Sequence, residues 1–124
     1  MSDKTTENLI RIFQPNGIDW LGDEISKDNP LTYHHITKKS CGGRKTINNG
    51  ALLTKRSHRY LHDVIEVEDT TTYMFINYCF KMLNDSKQPP NESYYRTIDA
   101  LLDATIAKEK PGNNKVLVKT LKRK

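Results

Sequence analysis

Residues 31–65 read LTYHHITKKSCGGRKTINNGALLTKRSHRYLHDVI and contain strand, turn and helix signals in succession. Its start is rich in β-branched and aromatic residues, which predicts a strand over residues 31–37, and residues 51–53 predict a short second strand. The glycines and asparagines between them are typical of turns. From His58 to Ile65 the apolar and histidine positions recur at helical spacing. The stretch therefore predicts a strand, a turn, a second strand and a helix, in that order.

All four histidines of the chain lie in this stretch. Imidazole is the commonest metal ligand in proteins and the commonest general base near neutral pH. His58 and His62 are four residues apart, so a helix stacks them on one face. His34 and His35 are neighbours on a strand and point to opposite faces, so one can bind the metal while the other faces the water on the substrate side. We predict that His34, His58 and His62 bind one metal ion and that His35 faces the substrate-side water as general base; the alternative is that a group behind the ligands takes the proton.

Three nitrogen ligands leave coordination positions open for water and a phosphate oxygen, which is the pattern of a catalytic rather than a structural site. Asn49 lies between the two histidine pairs and cannot act as a base. We predict that its amide holds backbone, or the His35 side of the loop, in place. Cys41, Gly42 and Gly43 predict a sharp hairpin loop, and close approach of this backbone to a phosphate is the alternative.

The charge distribution indicates a phosphate-bearing partner. The net charge is +5, yet residues 29–62 contain no Asp or Glu and seven basic residues. Basic surface of this kind is typical of nucleic-acid binding. The predicted contacts are Arg44, Lys45, Lys55, Arg56 and Arg59. A second basic excess lies at residues 108–124, where an ordinary solvated end is an equally good interpretation.

The rest of the chain predicts one domain with a modest core. Its 124 residues are too few for two cores, and no apolar run is long enough for a membrane helix. The first residues do not form a signal peptide, and Cys41 and Cys79 are single and far apart. We therefore expect free thiols and a reducing, cytoplasmic location.

The flanking segments predict further helices, which makes the fold class α+β. Residues 8–13 are amphipathic, and Trp20 is expected in the core. Apolar stripes predict helices over residues 68–86 and 92–110, the first with Tyr73, Ile76, Phe80 and Leu83 inward and the second with Tyr95, Ile98, Leu101, Leu102 and Ile106 inward. The basic end, 111–124, contains Val116, Leu117 and Val118, which could pair as a strand or stay loose.

The strings HHIxxxxxGG, TINNGALL and SHRYLH resemble the HNH, or ββα-metal, nucleases, especially the His-His…Asn…His…His form of colicin-type DNases and the small stand-alone HNH proteins of bacteria, phages and mobile elements. The resemblance covers roughly residues 18–67. It implies a ββα-metal core over residues 31–67, a helical extension over 68–110 and cleavage of DNA phosphodiester bonds. It also implies His35 as the base, metal ligation by His34, His58 and His62, and a structural role for Asn49, or for Asn48 in its place.

Many HNH members begin with Asp-His, whereas this chain has His-His. We predict one divalent ion, which is Mg, Mn, Zn or Ni. Three imidazoles favour zinc, nickel or manganese over magnesium, which prefers oxygen ligands, so the identity of the metal stays open. Two other functions fit the same residues: a non-catalytic, metal-stabilised nucleic-acid-binding module, and a nuclease effector that acts on RNA. The sequence leaves open whether the protein is a monomer or a homodimer, and whether it nicks or cuts both strands.

Overall fold

The computed structural model describes residues 3–105. Helix α1 spans Lys4–Phe13, and strands β1 and β2 span Leu31–His35 and Gly50–Thr54. Helix α2, Lys55–Tyr60, continues through a π-helical turn, Leu61–Ile65, into the short α3, Glu66–Glu68. Helices α4, Thr70–Ser86, and α5, Glu92–Ala104, follow. We call the continuous residues 55–68 the histidine helix.

The two strands form an antiparallel hairpin, as predicted. Leu31 pairs with Thr54 and His35 pairs with Gly50, so the two strands are paired along their whole length. β1 ends at His35, two residues earlier than predicted, because the Asn49 backbone N–H donates to the Thr46 carbonyl within its 3-10 turn and the Thr37 N–H donates to the Asn49 side chain. Gly50 is required at the turn side of β2, since a Cβ there would lie 2.5 Å from the Tyr33 ring. This hairpin followed by a helix confirms the predicted order of elements.

The long loop between the strands closes on itself. It contains two single 3-10 turns, Lys39–Cys41 and Ile47–Asn49. Gly42 adopts φ +90°, which glycine adopts at little cost. Gly43 approaches the Thr37 carbonyl so closely that a Cβ would lie 1.9 Å from its oxygen. The glycine pair therefore makes the sharp loop that its sequence predicts.

The core lies between the hairpin, α1 and the helices α4 and α5. Trp20 is fully buried, as predicted, and its ring packs edge-on against Phe13 at 4.9 Å and against Phe80 at 5.9 Å between centroids. The predicted inward stripe of α4 is buried, as are Ile98 and Leu102 of α5. Within residues 3–105 the core consists of one cluster of apolar side chains. The described residues thus form a mixed α+β structure.

Two helices begin or end differently from the prediction. α4 begins at Thr70 because Asp69 caps it, its side chain accepting from the Thr72 backbone N–H at 3.2 Å. α5 ends at Ala104, where Thr105 turns to extended backbone, rather than at residue 110. The predictions for Ile106, the basic end 111–124 and a strand at 116–118 lie outside the described residues. Cys41 and Cys79 are free thiols, as predicted.

A buried carboxylate network fixes the start of the histidine helix. Asp19 is fully buried and accepts from the backbone N–H groups of Leu21, Asp23 and Thr54 at 2.8–2.9 Å. Asp23, also fully buried, accepts from the Thr54 hydroxyl at 2.8 Å. Thr54 in turn caps the helix by accepting from the Ser57 N–H.

None of the described helices is long and apolar enough to cross a bilayer.

Candidate metal centre

Three histidines converge where β1 meets the histidine helix. One ligand atom from each of His34, His58 and His62 lies within 4.8 Å of the corresponding atoms of the other two. The ring centroids are separated by 5.3 Å for His34–His58, 5.2 Å for His34–His62 and 5.0 Å for His58–His62. We call these residues the histidine triad. It is the one group of His, Cys, Asp and Glu side chains in residues 3–105 that could hold a metal ion.

His34 forms a hydrogen bond with one ring nitrogen and has no hydrogen-bond partner at the other. Its Nε2 lies 2.7 Å from Asn77 Oδ1, and the Asn77 amide nitrogen donates to the Tyr73 carbonyl. Asn77 therefore presents an oxygen, so Nε2 carries the proton and donates. The opposite nitrogen, Nδ1, is buried and has no hydrogen-bond partner among the described residues. An orphaned buried acceptor is costly, and a metal ion would satisfy it.

His58 and His62 are held in the same manner. His58 Nδ1 lies 2.9 Å from Thr32 Oγ1, and that hydroxyl already donates to the Leu53 carbonyl. The hydroxyl must therefore accept from His58, which leaves Nε2 of His58 with its lone pair free. His62 Nδ1 lies 2.8 Å from the Glu66 carboxylate and donates to it, which frees Nε2 of His62. Oxygen acceptors behind ligating imidazoles are the usual means of orienting them and raising their basicity.

The electrostatics of the site also favour metal binding. Burial, with smaller contributions from the other histidines, lowers the pKa of His34 to about 3 despite the Asn77 hydrogen bond. Burial and the neighbouring His62 lower the pKa of His58 to about 4. Both rings are therefore neutral at pH 7, which is the form that ligates a metal. The donor set of three neutral imidazoles fits a borderline divalent ion.

A π-helical turn carries His62. The Glu66 N–H donates to the Leu61 carbonyl, five residues back rather than four. Such single wide turns are rare in helices and occur often at functional sites. The turn spans Leu61–Ile65 and so sets where His62 and the Glu66 carboxylate lie relative to His58.

His35 lies beside the triad rather than in it. It borders a cavity of about 280 Å³ that His58, His62, Lys38, Lys39 and Glu66 also line. Burial and the nearby Lys39 and Lys45 lower the pKa of His35, so its ring is neutral at pH 7 and able to take up a proton. The alternation along β1 thus separates the two histidines, with His34 buried and His35 at the cavity.

Asn49 clamps the loop that follows His35. Its Oδ1 accepts from the Thr37 N–H at 2.8 Å, and its Nδ2 donates to the carbonyls of Thr37 and Arg44 at 3.0 Å each. The backbone carbonyl of Asn49 also accepts from the Ile36 N–H at 2.9 Å. These contacts bridge the two ends of the loop, whereas Asn48 is exposed.

The five predicted nucleic-acid contacts occupy different environments. Lys55 and Arg59 line a second cavity of about 290 Å³, which His58 and His62 also line. Arg56 forms a two-pronged ion pair with the buried Asp23. Lys45 pairs with Asp3 at 2.6 Å, and the Arg44 side chain is exposed. The role of these residues in nucleic-acid binding stays a prediction, and Lys55 and Arg59 are the two that share a cavity with triad histidines.

Three supporting residues were not predicted, although the sequence contains a signal for each. Thr32 is two residues before His34, on the same face of the strand. Glu66 is four residues after His62, on the same helix face. Asn77 is a polar residue between Tyr73, Ile76 and Phe80 of the inward α4 stripe, and buried polar groups normally serve a partner.

A scan against protein-family models finds no match, and searches of the curated proteins and of the solved structures find no significant match either. The geometry is therefore the basis for any functional conclusion. A β-hairpin followed by a helix, with a histidine triad that could bind a metal ion between them, is compatible with the ββα-metal fold.

Proposed function

We propose that this protein is a metal-dependent nuclease of the ββα-metal type that hydrolyses phosphodiester bonds of DNA. The observation that carries the proposal is the position of His35, a neutral imidazole at a cavity lined by two of the three triad histidines. A metal site that only stabilised the fold would have no use for an additional base beside it. The basic, acid-free stretch supplies the affinity for phosphate.

In the proposed reaction His35 takes a proton from a water molecule as the water oxygen attacks phosphorus. The bond from phosphorus to the 3′ oxygen breaks, and the leaving oxygen takes up a proton from solvent. A divalent ion on the triad would polarise the phosphate and stabilise the developing charge on the leaving oxygen. Lys38 and Lys39 line the His35 cavity together with Glu66, which pairs with Lys38, and Lys55 and Arg59 line the second cavity together with Asp63. Basic residues are therefore available for a phosphate at both cavities that the triad histidines border.

Substitution of His35 separates catalysis from metal binding. We expect His35→Ala to lose plasmid nicking by about 100-fold or more, because general-base catalysis contributes that much. Metal affinity, measured by isothermal titration calorimetry, should stay within about 3-fold, since His35 lies outside the triad. Asn48→Ala, an exposed change in the nearby loop, serves as the control and should retain both properties.

Nicking that survives in His35→Ala would overturn the role of His35. Wild-type protein that shifts DNA in a gel but cleaves it with none of Mg, Mn, Zn and Ni would favour the non-catalytic binding module. Cleavage of single-stranded RNA but not of plasmid would favour the RNA-directed effector. Plasmid nicking, DNA gel shift and RNA cleavage, each measured across the same metal series with EDTA as the reference, distinguish the three functions.

A further inference from the structure

Helix α4 has two apolar faces. Tyr73, Ile76, Phe80 and Leu83 are buried in the core. On the opposite side Met74, Phe75, Tyr78 and Met82 are 65%, 55%, 65% and 58% exposed. A surface helix normally has one apolar stripe and polar residues opposite it. We call these four exposed residues, with Thr71, the outer face of α4.

The outer face is large enough to form the centre of an interface. Taking ~200 Å² for each large side chain, the four leave roughly 500 Å² of apolar surface open to solvent. The largest apolar patch on a typical monomeric protein is about 300–600 Å², and patches of this size often have a binding function. A stable interface buries about 800 Å² on each partner, with an apolar centre and a polar rim. The outer face supplies such a centre, and the flanking polar residues of α4 would supply part of the rim.

We propose that a second copy of this chain covers the outer face and that the protein is a two-fold symmetric dimer. Thr71, Phe75, Tyr78 and Met82 are spaced by four, three and four residues, which is the spacing of a helix-pairing seam. This spacing is the same when it is read backwards. A two-fold dimer pairs one surface with itself, so a seam of this kind matches an antiparallel copy of itself.

The chemistry of the seam fits the same arrangement. An antiparallel pair centred between Phe75 and Tyr78 places Phe75 opposite the partner's Tyr78, and aromatic pairs are favourable beyond their area. It also places Thr71 opposite the partner's Met82, a small residue against a large and adaptable one. Lys81 and Asp85 lie beside the seam and pair with each other at 2.9 Å, so this contact need not bury an unpaired charge there.

The dimer contact is also compatible with an open metal centre. Asn77 and Phe80 contact His34 from the inner side of α4, whereas the seam lies on its outer side. Each dimer therefore holds two histidine triads. The dimer does not depend on the proposed nuclease function, because its test requires no cleavage.

Sedimentation equilibrium of the full chain, from low to high micromolar concentration, tests the proposal. We expect a mass rising from 14.3 kDa towards twice that value as the concentration increases. Phe75→Asp and Tyr78→Asp should each raise the dissociation constant by about 100-fold or more, because a buried carboxylate without a partner is costly. Ser93→Asp adds the same charge on the exposed side of α5 and should leave the dimer intact.

A mass of 14.3 kDa at every concentration would overturn the proposal. Its outer face would then be covered by another part of the same chain, such as residues 106–124, or left open. A dimer that persists unchanged in both Phe75→Asp and Tyr78→Asp would also overturn it, since the contact would lie elsewhere. Circular dichroism confirms that the variants remain folded.

Discussion

At the residue scale, the hydrogen bonds behind the three histidines are the most informative feature of the site. Each ring donates a hydrogen bond to an oxygen of Asn77, Thr32 or Glu66, which leaves the lone pair of its other nitrogen free. A coincidental cluster of histidines has no reason to share this polarity. The arrangement instead prepares all three rings to bind one ion before the ion arrives.

Removing the acceptor behind His34 should weaken metal binding without removing a ligand. We expect Asn77→Leu to lower metal affinity by about 10- to 100-fold, because the His34 ring loses the bond that fixes its tautomer and orientation. Asn77→Asp keeps an oxygen at the same place and should bind metal within a few-fold of wild type. Calorimetric titration of both variants checks this, and equal affinities for the Leu and Asp variants would contradict the role of Asn77.

The buried His34 should also make the metal-free protein sensitive to acid. Its pKa is about 3 in the folded state, because of burial, against an ordinary value of 6.5. Between these pH values the unfolded chain binds a proton that the folded protein does not, so the free energy of unfolding falls as the pH drops below 6.5. At pH 5 this single group lowers stability by about 2 kcal/mol relative to pH 8.

Urea unfolding in EDTA at pH 8 and pH 5 measures this effect. The variant His34→Gln lacks the titrating group, so its stability difference between the two pH values should be smaller by about 2 kcal/mol. Carboxylates that titrate in the same range contribute to both proteins and cancel in the comparison. A pH dependence unchanged by the substitution would show that His34 is not the group responsible.

At the element scale, the histidine helix is anchored to the rest of the fold at its start and carries two triad histidines in its middle. Its start is fixed to the loop at residues 19–29 through Asp23 and the capping Thr54. Its middle carries His58 and His62, and the π-helical turn sets the position of the second. Arg56 on this helix pairs with the buried Asp23, whereas Arg59 lines a cavity with His58 and His62, so substituting each should have a different consequence.

We expect Arg56→Ala to lower the free energy of unfolding by about 2–3 kcal/mol, because it leaves the buried Asp23 carboxylate without its cation. Arg59→Ala should change stability by less than about 0.5 kcal/mol. Arg59 borders a triad cavity, so its removal should instead weaken DNA binding and reduce the salt dependence by about one phosphate contact. Urea unfolding and fluorescence anisotropy with labelled duplex DNA separate the two effects. The opposite pattern would mean that Arg56, and not Arg59, contacts the nucleic acid.

At the scale of the whole molecule, the sequence predicted the elements better than the contacts between them. Alternation and helical spacing were sufficient to predict the hairpin, the helix and the pairing of His58 with His62 on one helix face, because each is a local pattern, whereas His34 joins that pair from the first strand. The partnership of His34 with Asn77 was not predicted, since it depends on how α4 crosses the hairpin. The pairing of Arg56 with Asp23 was missed for the same reason, because their positions in the sequence do not indicate that they meet.

The π-helical turn had no signal in the sequence, and the ends of α4 and α5 depended on single residues. Asp69 caps α4 and so separates it from α3. The outer face of α4 was likewise not predicted, because a buried apolar stripe does not indicate whether the opposite side of the helix is also apolar. Propensity and periodicity therefore place the site approximately, while long-range packing determines its chemistry.

The central claim is that one divalent ion on the histidine triad is required for phosphodiester cleavage. Back-titration of EDTA-stripped protein with a divalent metal, with plasmid nicking measured at each addition, tests it most directly. We expect no nicking in the stripped protein, and activity that rises in proportion to added metal until there is one ion per chain. Nicking in the presence of EDTA, or metal binding that saturates at one ion per chain without any cleavage, would contradict the claim.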